Sequence, residues 1–150
     1  MKSLLIGINS KYIHPNIAIR LLKANTNYDV DLIEFNIKDE SKKIYQHIIE
    51  NDYQLVGFSC YIWNINLIKE VLIKLKDNNI TVYGTHLESS ISVKEVDKKD
   101  KLAVVVGNEA KGVSKEVLDL CDKNIILPMN NDVESLNVSI AAALLMWELK

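Results

Sequence analysis

The chain has 150 residues, of which 48% are hydrophobic and 25% charged, and its formal net charge is −2. One domain of this size can bury a real core, and the balance excludes a disordered or low-complexity chain. The slight negative charge gives no global attraction to nucleic acid, although a local basic face stays open.

The opening MKSLLIGINSKY has too short an apolar run for a signal peptide, and no stretch approaches the ~20 apolar residues of a membrane span. A cytoplasmic protein with no membrane association is expected. Cys60 and Cys121 lack metal-ligand spacing, so they read as two buried thiols, with no metal site.

Short runs rich in Ile, Val and Leu alternate with segments of helical period, which predicts a three-layer α/β/α domain with a mainly parallel sheet. In chain order the predicted strands are Ser3–Ile8, Val30–Phe35, Leu55–Cys60, Ile80–Thr85, Leu102–Gly107 and Asn124–Met129. A first helix is predicted from Asn16, with Pro15 at its start and Ile17, Leu21 and Ala24 on one face. ESKKIYQHIIEN and NINLIKEVLIKLK follow, the second with a stripe of Ile65, Ile68, Leu72 and Leu75. KEVDKKDK from Lys94 reads as a solvated loop between strands. The last helix, SLNVSIAAALLMWELK, is apolar over most of its circumference, which predicts a homodimer interface.

One stretch raises a chemical question. In VVVGNEAKGVSKEVL, Gly107 closes a predicted buried strand and Gly112 precedes Ser114, which can cap a helix with Glu116 in its first turn. Such a turn lies at the carboxyl end of a strand, where open α/β sheets bind ligands, and glycines let backbone approach a ligand closely. It is not a phosphate loop, because G-x-x-x-x-G-K-[ST] is absent. Standing alone, a capped turn with no ligand explains it equally well.

It does not stand alone. YGTHL, VVVGNEAKGVS, ILPM and ESLNVSIAAALLMWE follow in order from about Thr81 to Glu148. This run resembles the C-terminal part of SpoU/TrmH-type RNA 2′-O-ribose methyltransferases, in the SPOUT superfamily. The resemblance implies a deep trefoil knot, an exception to the rule that chains avoid threading. It also implies S-adenosylmethionine (SAM) as cofactor and S-adenosylhomocysteine as product. The implied cofactor-binding positions are Thr85, His86 and Leu87; Gly107, Asn108, Glu109 and Gly112; Leu127, Pro128 and Met129; and Ser135, Leu136 and Asn137. Backbone groups of Gly107, Leu127 and Leu136 would grip the adenine and ribose. Glu109, Ser135 and Asn137 would position substrate and cofactor, and the last helix would form the dimer. For His86 the resemblance supports proximity to the cofactor, not proton transfer.

The same family carries N-x-G-x-x-x-R near its start, whose Arg would favour the ionised ribose hydroxyl. The nearest match here is PNIAIR, where Asn16 and Arg20 are four apart and no Gly intervenes. Arg20 is the candidate catalytic group, with Lys11 as a substitute; a surface or ion-pair role for Arg20 competes with it. LLIGINSKYIHPNIAIRLLKA and LVGFSCYIWNINLIKEV instead resemble the cobalamin-binding-type, flavodoxin-like domain of radical-SAM proteins. That family's D-x-H-x-x-G signature is absent, so cobalamin is not expected.

These readings combine into one α/β domain. Residues 1–79 are a flavodoxin/Rossmann-like half, and residues 80–150 a SPOUT-like knotted half, meeting near Asp77–Ile80. The expected function is a SAM-binding SPOUT-type domain in a recombined or engineered chimera with weak or no catalysis. An active tRNA/rRNA 2′-O-methyltransferase, with RNA as its partner, is the alternative. A non-enzymatic cobalamin-type or ligand-free scaffold is the third reading.

Overall fold

A computed structural model describes residues 2–11, 15–88, 90–98, 100–108, 111–129 and 137–149. Its strands are β1 (Ser3–Asn9), β2 (Val30–Asn36), β3 (Leu55–Ser59), β4 (Thr81–Thr85), β5 (Ile91–Ser92), β6 (Leu102–Val106) and β7 (Lys123–Ile126). Its helices are α1 (Ile17–Ala24), α2 (Ser41–Glu50), α3 (Ile65–Lys76), α4 (Lys115–Leu118) and α5 (Val138–Glu148). Among the described residues the strands form one seven-stranded sheet in the order β2-β1-β3-β6-β4-β7-β5. Every pairing within it is parallel. All strands therefore end at one edge of the sheet.

The two halves of the sequence share this sheet. β6 enters between β3 and β4, pairing Leu55 with Leu102 on one side and Thr81 with Leu102 on the other. β7 then enters between β4 and β5. Along β6 the two-residue period divides the core. Ala103 and Val105 join the layer under α2, α3 and α4, with Ile44, Ile68, Val71, Leu72 and Val117. Leu102, Val104 and Val106 join the opposite layer with Leu145 of α5 and Leu149 just after it. α1 lies beside α5, where Ile19 packs on Leu5 and Val30. The three-layer α/β/α expectation holds.

Several boundaries differ from the sequence reading for local reasons. Asn16 caps α1, its side chain accepting from the Ile19 N–H, so Pro15 precedes the cap and is not the first helical residue. β7 stops at Ile126, so Leu127–Met129 leave the sheet. The stretch from Lys94 is not a plain solvated loop. A short strand, β5, and a single helical turn over Val93–Glu95 precede or begin it, and Val93 and Val96 are buried against the α5 layer. Charge density there concealed two apolar anchors. The knot expected from the resemblance turns on the path through residues 130–136, which lie outside the described residues.

α5 is apolar all round, yet only part of it is covered. Leu145 and Leu149 are buried, whereas Ile140, Leu144 and Trp147 are exposed.

Ile68 has no solvent exposure and lies in the layer between α3 and the sheet. Ile68→Ala should lower the unfolding free energy by roughly 2–5 kcal/mol. Ile73→Ala, on the exposed side of the same helix, should change it by less than about 0.5 kcal/mol. Urea titration of the two variants checks the pair.

Candidate SAM-binding cleft

The carboxyl ends of β4, β6 and β7, neighbours in the sheet, open into a cleft of about 480 Å³. That is a size that holds a small-molecule cofactor. Thr85, His86, Leu87 and Glu88 form one wall, Gly107, Asn108, Lys111 and Gly112 a second, and Ile125–Leu127 with Met129 a third. Val138, Ala141 and Leu145 of α5 close it. The lining is mostly apolar with a few polar groups, the donor set expected for an adenosyl group held chiefly by backbone.

The β6 turn owes its shape to two glycines with different duties. A Cβ on Gly107 would lie 2.0 Å from the Gly112 carbonyl carbon and 2.1 Å from the Val113 nitrogen. The missing side chain therefore admits the loop's own returning backbone. Gly112 donates to the Asn108 carbonyl at 2.7 Å, and the Lys111 N–H donates to Asn108 Oδ1 at 3.3 Å. Gly112 sits at φ +65°, with open space where a Cβ would be. The result is a closed loop whose two ends touch.

The β4 wall is similarly self-bonded. Thr85 Oγ1 donates to the Val105 carbonyl at 3.2 Å, and the His86 N–H donates to the Ile125 carbonyl at 3.1 Å, tying three strand ends together. The ring Nδ1 of His86 lies 2.8 Å from the Glu88 carbonyl oxygen and 3.1 Å from the Glu88 N–H. Ser90 Oγ donates back to the His86 carbonyl at 2.9 Å. His86 thus braces its own loop at the cleft wall.

Of the positions named from sequence, Thr85, His86, Leu87, Gly107, Asn108, Gly112, Leu127 and Met129 line the cleft. Pro128 and Asn137 are exposed and do not line it. Glu109, Ser135 and Leu136 lie outside the described residues. Sequence reasoning passed over Glu88, Lys111, Val138 and Ala141, which line the cleft too. Lys111, Val138 and Ala141 lie inside quoted motifs and Glu88 directly follows one, so the motifs were found but these positions in them were not singled out. No metal-holding group of His, Cys, Asp or Glu occurs among the described residues. Burial pushes the Cys60 thiol up and takes Cys121 to about 12, so neither is a nucleophile near neutral pH.

Arg20 does not line the cleft. It stands in the first turn of α1, and its Nε and Nη2 contact Glu34 Oε1 at 2.9 and 2.6 Å. Glu34 also accepts from the Asn9 amide at 2.6 Å and the Asn16 N–H at 2.8 Å. Burial pushes the Glu34 carboxyl up, but these donors outweigh it and hold it below the usual glutamate value. The pair clamps the start of α1 to β1 and β2.

A parallel α/β sheet with a cofactor-sized cleft at the carboxyl edge, where strands enter out of sequence order, has the architecture in which open α/β sheets place ligand sites. The particular family follows from comparison. The SpoU rRNA Methylase family model matches residues 57–147, well over half of the chain, and the chain belongs to that family. It is 38% identical over 77 residues to the 23S rRNA (guanosine(2553)-2′-O)-methyltransferase of Bacillus subtilis, covering 51% of this chain and 31% of that one. It is 30% identical over 118 residues to the tRNA (guanosine(18)-2′-O)-methyltransferase of Aquifex aeolicus, covering 78% and 54%. The chain thus spans only about a third to a half of these relatives.

Among solved structures, an AdoMet-bound rRNA methyltransferase from Sinorhizobium meliloti superposes with a TM-score of 0.55 at 14% identity, covering 99% of this chain and 54% of that one. A cobalamin-binding protein from Desulfitobacterium hafniense superposes with a TM-score of 0.54 at 15% identity, covering 98% and 58%. At such identities both are likenesses of fold alone. The family match begins at residue 57, well before the Asp77–Ile80 junction read from sequence. The 118-residue alignment is longer than everything after that junction, so it too runs into the first half.

Two measurements follow from these contacts. Gly112→Ala forces a Cβ into left-handed backbone and should cost about 1–2 kcal/mol. Gly107→Ala, which meets backbone, should cost at least as much in the same urea titration. Glu34 has a depressed folded pKa, so its contribution is full above the ordinary value of 4.5 and disappears as pH falls through the folded value. Glu34→Gln should therefore be less stable than the parent at pH 7, and the difference should shrink below about pH 4.5.

Proposed function

We propose that this chain is the SAM-binding catalytic unit of an RNA 2′-O-ribose methyltransferase. The observation that supports this reading best is the cleft itself. Three motifs far apart in sequence, at Thr85–Leu87, Gly107–Gly112 and Leu127–Met129, converge on its walls. The family resemblance links those same motifs to SAM. The extension of the family match across the supposed junction favours this enzyme over a chimera without catalysis.

When bound, SAM supplies an electrophilic methyl carbon on a sulfonium. The methyl group would pass to the ribose 2′-oxygen, with the electron pair of the broken carbon–sulfur bond staying on sulfur and the hydroxyl proton passing to solvent. The chain's tasks are then to hold the donor, exclude water and favour the ionised hydroxyl. The walls contributed by α5 and Leu127 exclude water, and the loop beginning at Gly107 holds the donor. Glu109 and Ser135 orient donor and ribose, and Asn137, exposed outside the cleft walls, is left without that role. Arg20 stands outside the cleft, paired with Glu34 but with its side chain 59% exposed, and its guanidinium would favour the alkoxide only on leaving that pair.

The exposed face of α5 takes a second copy of the chain. With Leu21 and Tyr28, residues Ile140, Leu144 and Trp147 line a groove of about 570 Å³. Contiguous apolar surface of this kind marks an interface.

Calorimetry with SAM should give saturable binding to the parent. Ala141→Trp, which fills the cleft from α5, should abolish it while leaving the urea midpoint within the range of a surface change. Incorporation of labelled methyl into unfractionated bacterial tRNA or rRNA should fall roughly 10²-fold or more in Arg20→Ala. Absence of any incorporation would remove the catalytic reading, and an unchanged rate in Arg20→Ala would remove the role given to Arg20. Leu144→Glu should shift the sedimentation mass from dimer to monomer.

A further inference from the structure

The loop between β3 and α3, CYIWN from Cys60 to Asn64, has no part in the cleft yet is held by several side-chain hydrogen bonds. Asn64 is buried, with only 1% of its surface exposed. Its Oδ1 accepts from the Tyr61 N–H at 2.8 Å, and its amide donates to the Ser59 carbonyl at 3.0 Å. Tyr61 and Trp63 lie face to face, 4.6 Å between ring centroids and 4° between planes. The indole Nε1 donates to the Ile8 carbonyl at 3.3 Å. Trp63 is thus pinned at its edge and backed by Tyr61. It nevertheless keeps 47% of its surface exposed, beside Ile62 at 76%.

The place of this platform gives it a use. The Cys60 N–H donates to the Val106 carbonyl at 2.7 Å, so the loop leaves the sheet directly beside the strand end that feeds Gly107. β3, β6 and β4 are successive neighbours, and strands lie ~4.8 Å apart. The platform therefore stands at the same edge as the cleft, within reach of a nucleotide next to one seated there. Lys11 lies three residues beyond Ile8, is exposed, and makes no ion pair among the described residues, so a cation stands beyond the same β1 end. A flat, pre-stacked and half-exposed ring is the arrangement that receives an unpaired base.

We propose that the outer face of Trp63 is a stacking subsite for an unpaired base of the RNA substrate, one nucleotide or a few from the methylated ribose. This rests on the RNA methyltransferase reading, and it makes Trp63 a substrate-positioning residue. Neither the cleft nor the family motifs contain it.

The test compares the full chain with Trp63→Ala and Trp63→Phe, using unfractionated bacterial tRNA and rRNA as probes. SAM affinity by calorimetry should be equal in all three. Trp63→Ala should weaken RNA binding and raise KM for RNA by roughly 5- to 150-fold, with Trp63→Phe retaining most of the parent affinity. The slope of log affinity against log salt should stay the same, because no phosphate contact is removed. Indole emission of the parent, taken as the difference from Trp63→Phe, should be quenched on adding RNA. This last measurement stands even where Trp63→Ala fails to fold. Failure of SAM binding and of methyl incorporation in the parent would defeat the underlying reading. Intact incorporation with unchanged RNA affinity in Trp63→Ala, or no quenching, would overturn the stacking subsite alone.

Discussion

Strand β6 has a paired edge on each side and a covered face above and below. All five of its residues are buried, it is hydrogen-bonded to β3 on one side and β4 on the other, and its alternating side chains enter both core layers. A strand so enclosed can end in only one way, by turning at the carboxyl edge. There Gly107 lacks the Cβ that would collide with Gly112 and Val113. The position of the turn, and so of the cleft, follows from burial of the strand. Because β6 arrives between strands laid down earlier, its end is bracketed by the β3 and β4 ends. Those neighbours place the aromatic loop on one flank and the His86 loop on the other.

The glycines change meaning when seen this way. A turn of two glycines at a strand end suggests an opening for a ligand. Here Gly107 is filled by the chain itself, and only Gly112 faces open space. The two described ends of the turn are joined by the Asn108–Gly112 contact, and contacts already made before a ligand enters lower the ordering cost of binding. The β4 wall is likewise self-bonded through His86, Glu88 and Ser90.

Much of this was legible in the sequence. The long strands and α2, α3 and α5 follow from apolar runs and helical stripes, because burial in a parallel sheet demands such patterns. β5 was missed because a strand of two residues leaves no periodicity. The anchors Val93 and Val96 were hidden among charges. The cleft residues were legible through a family resemblance rather than through chemistry, since backbone recognition leaves little trace in side-chain type. The Arg20–Glu34 pair was not visible in detail, because residues 14 apart meet only after α1 folds back onto β2. The Tyr61–Trp63 stack was quoted only as part of a resemblance, and its geometry depends on Asn64 reaching across to Ile8 and Ser59. The first half read as foreign because its two quoted stretches resemble a cobalamin-binding-type domain and PNIAIR lacks the spacing and glycine of the methyltransferase motif. Yet β1, β2 and β3 continue the same sheet that holds the cleft.

The central claim is that the carboxyl ends of β4, β6 and β7 hold the methyl donor. A crystal structure of the chain grown with S-adenosylhomocysteine tests it most directly. The account predicts density for the nucleoside between the Gly107 loop, Leu127 and Ala141, with backbone groups of the loop within hydrogen-bond distance of it. Density for the nucleoside at the β1–β3 end of the sheet instead, with this cleft open to solvent, would contradict it.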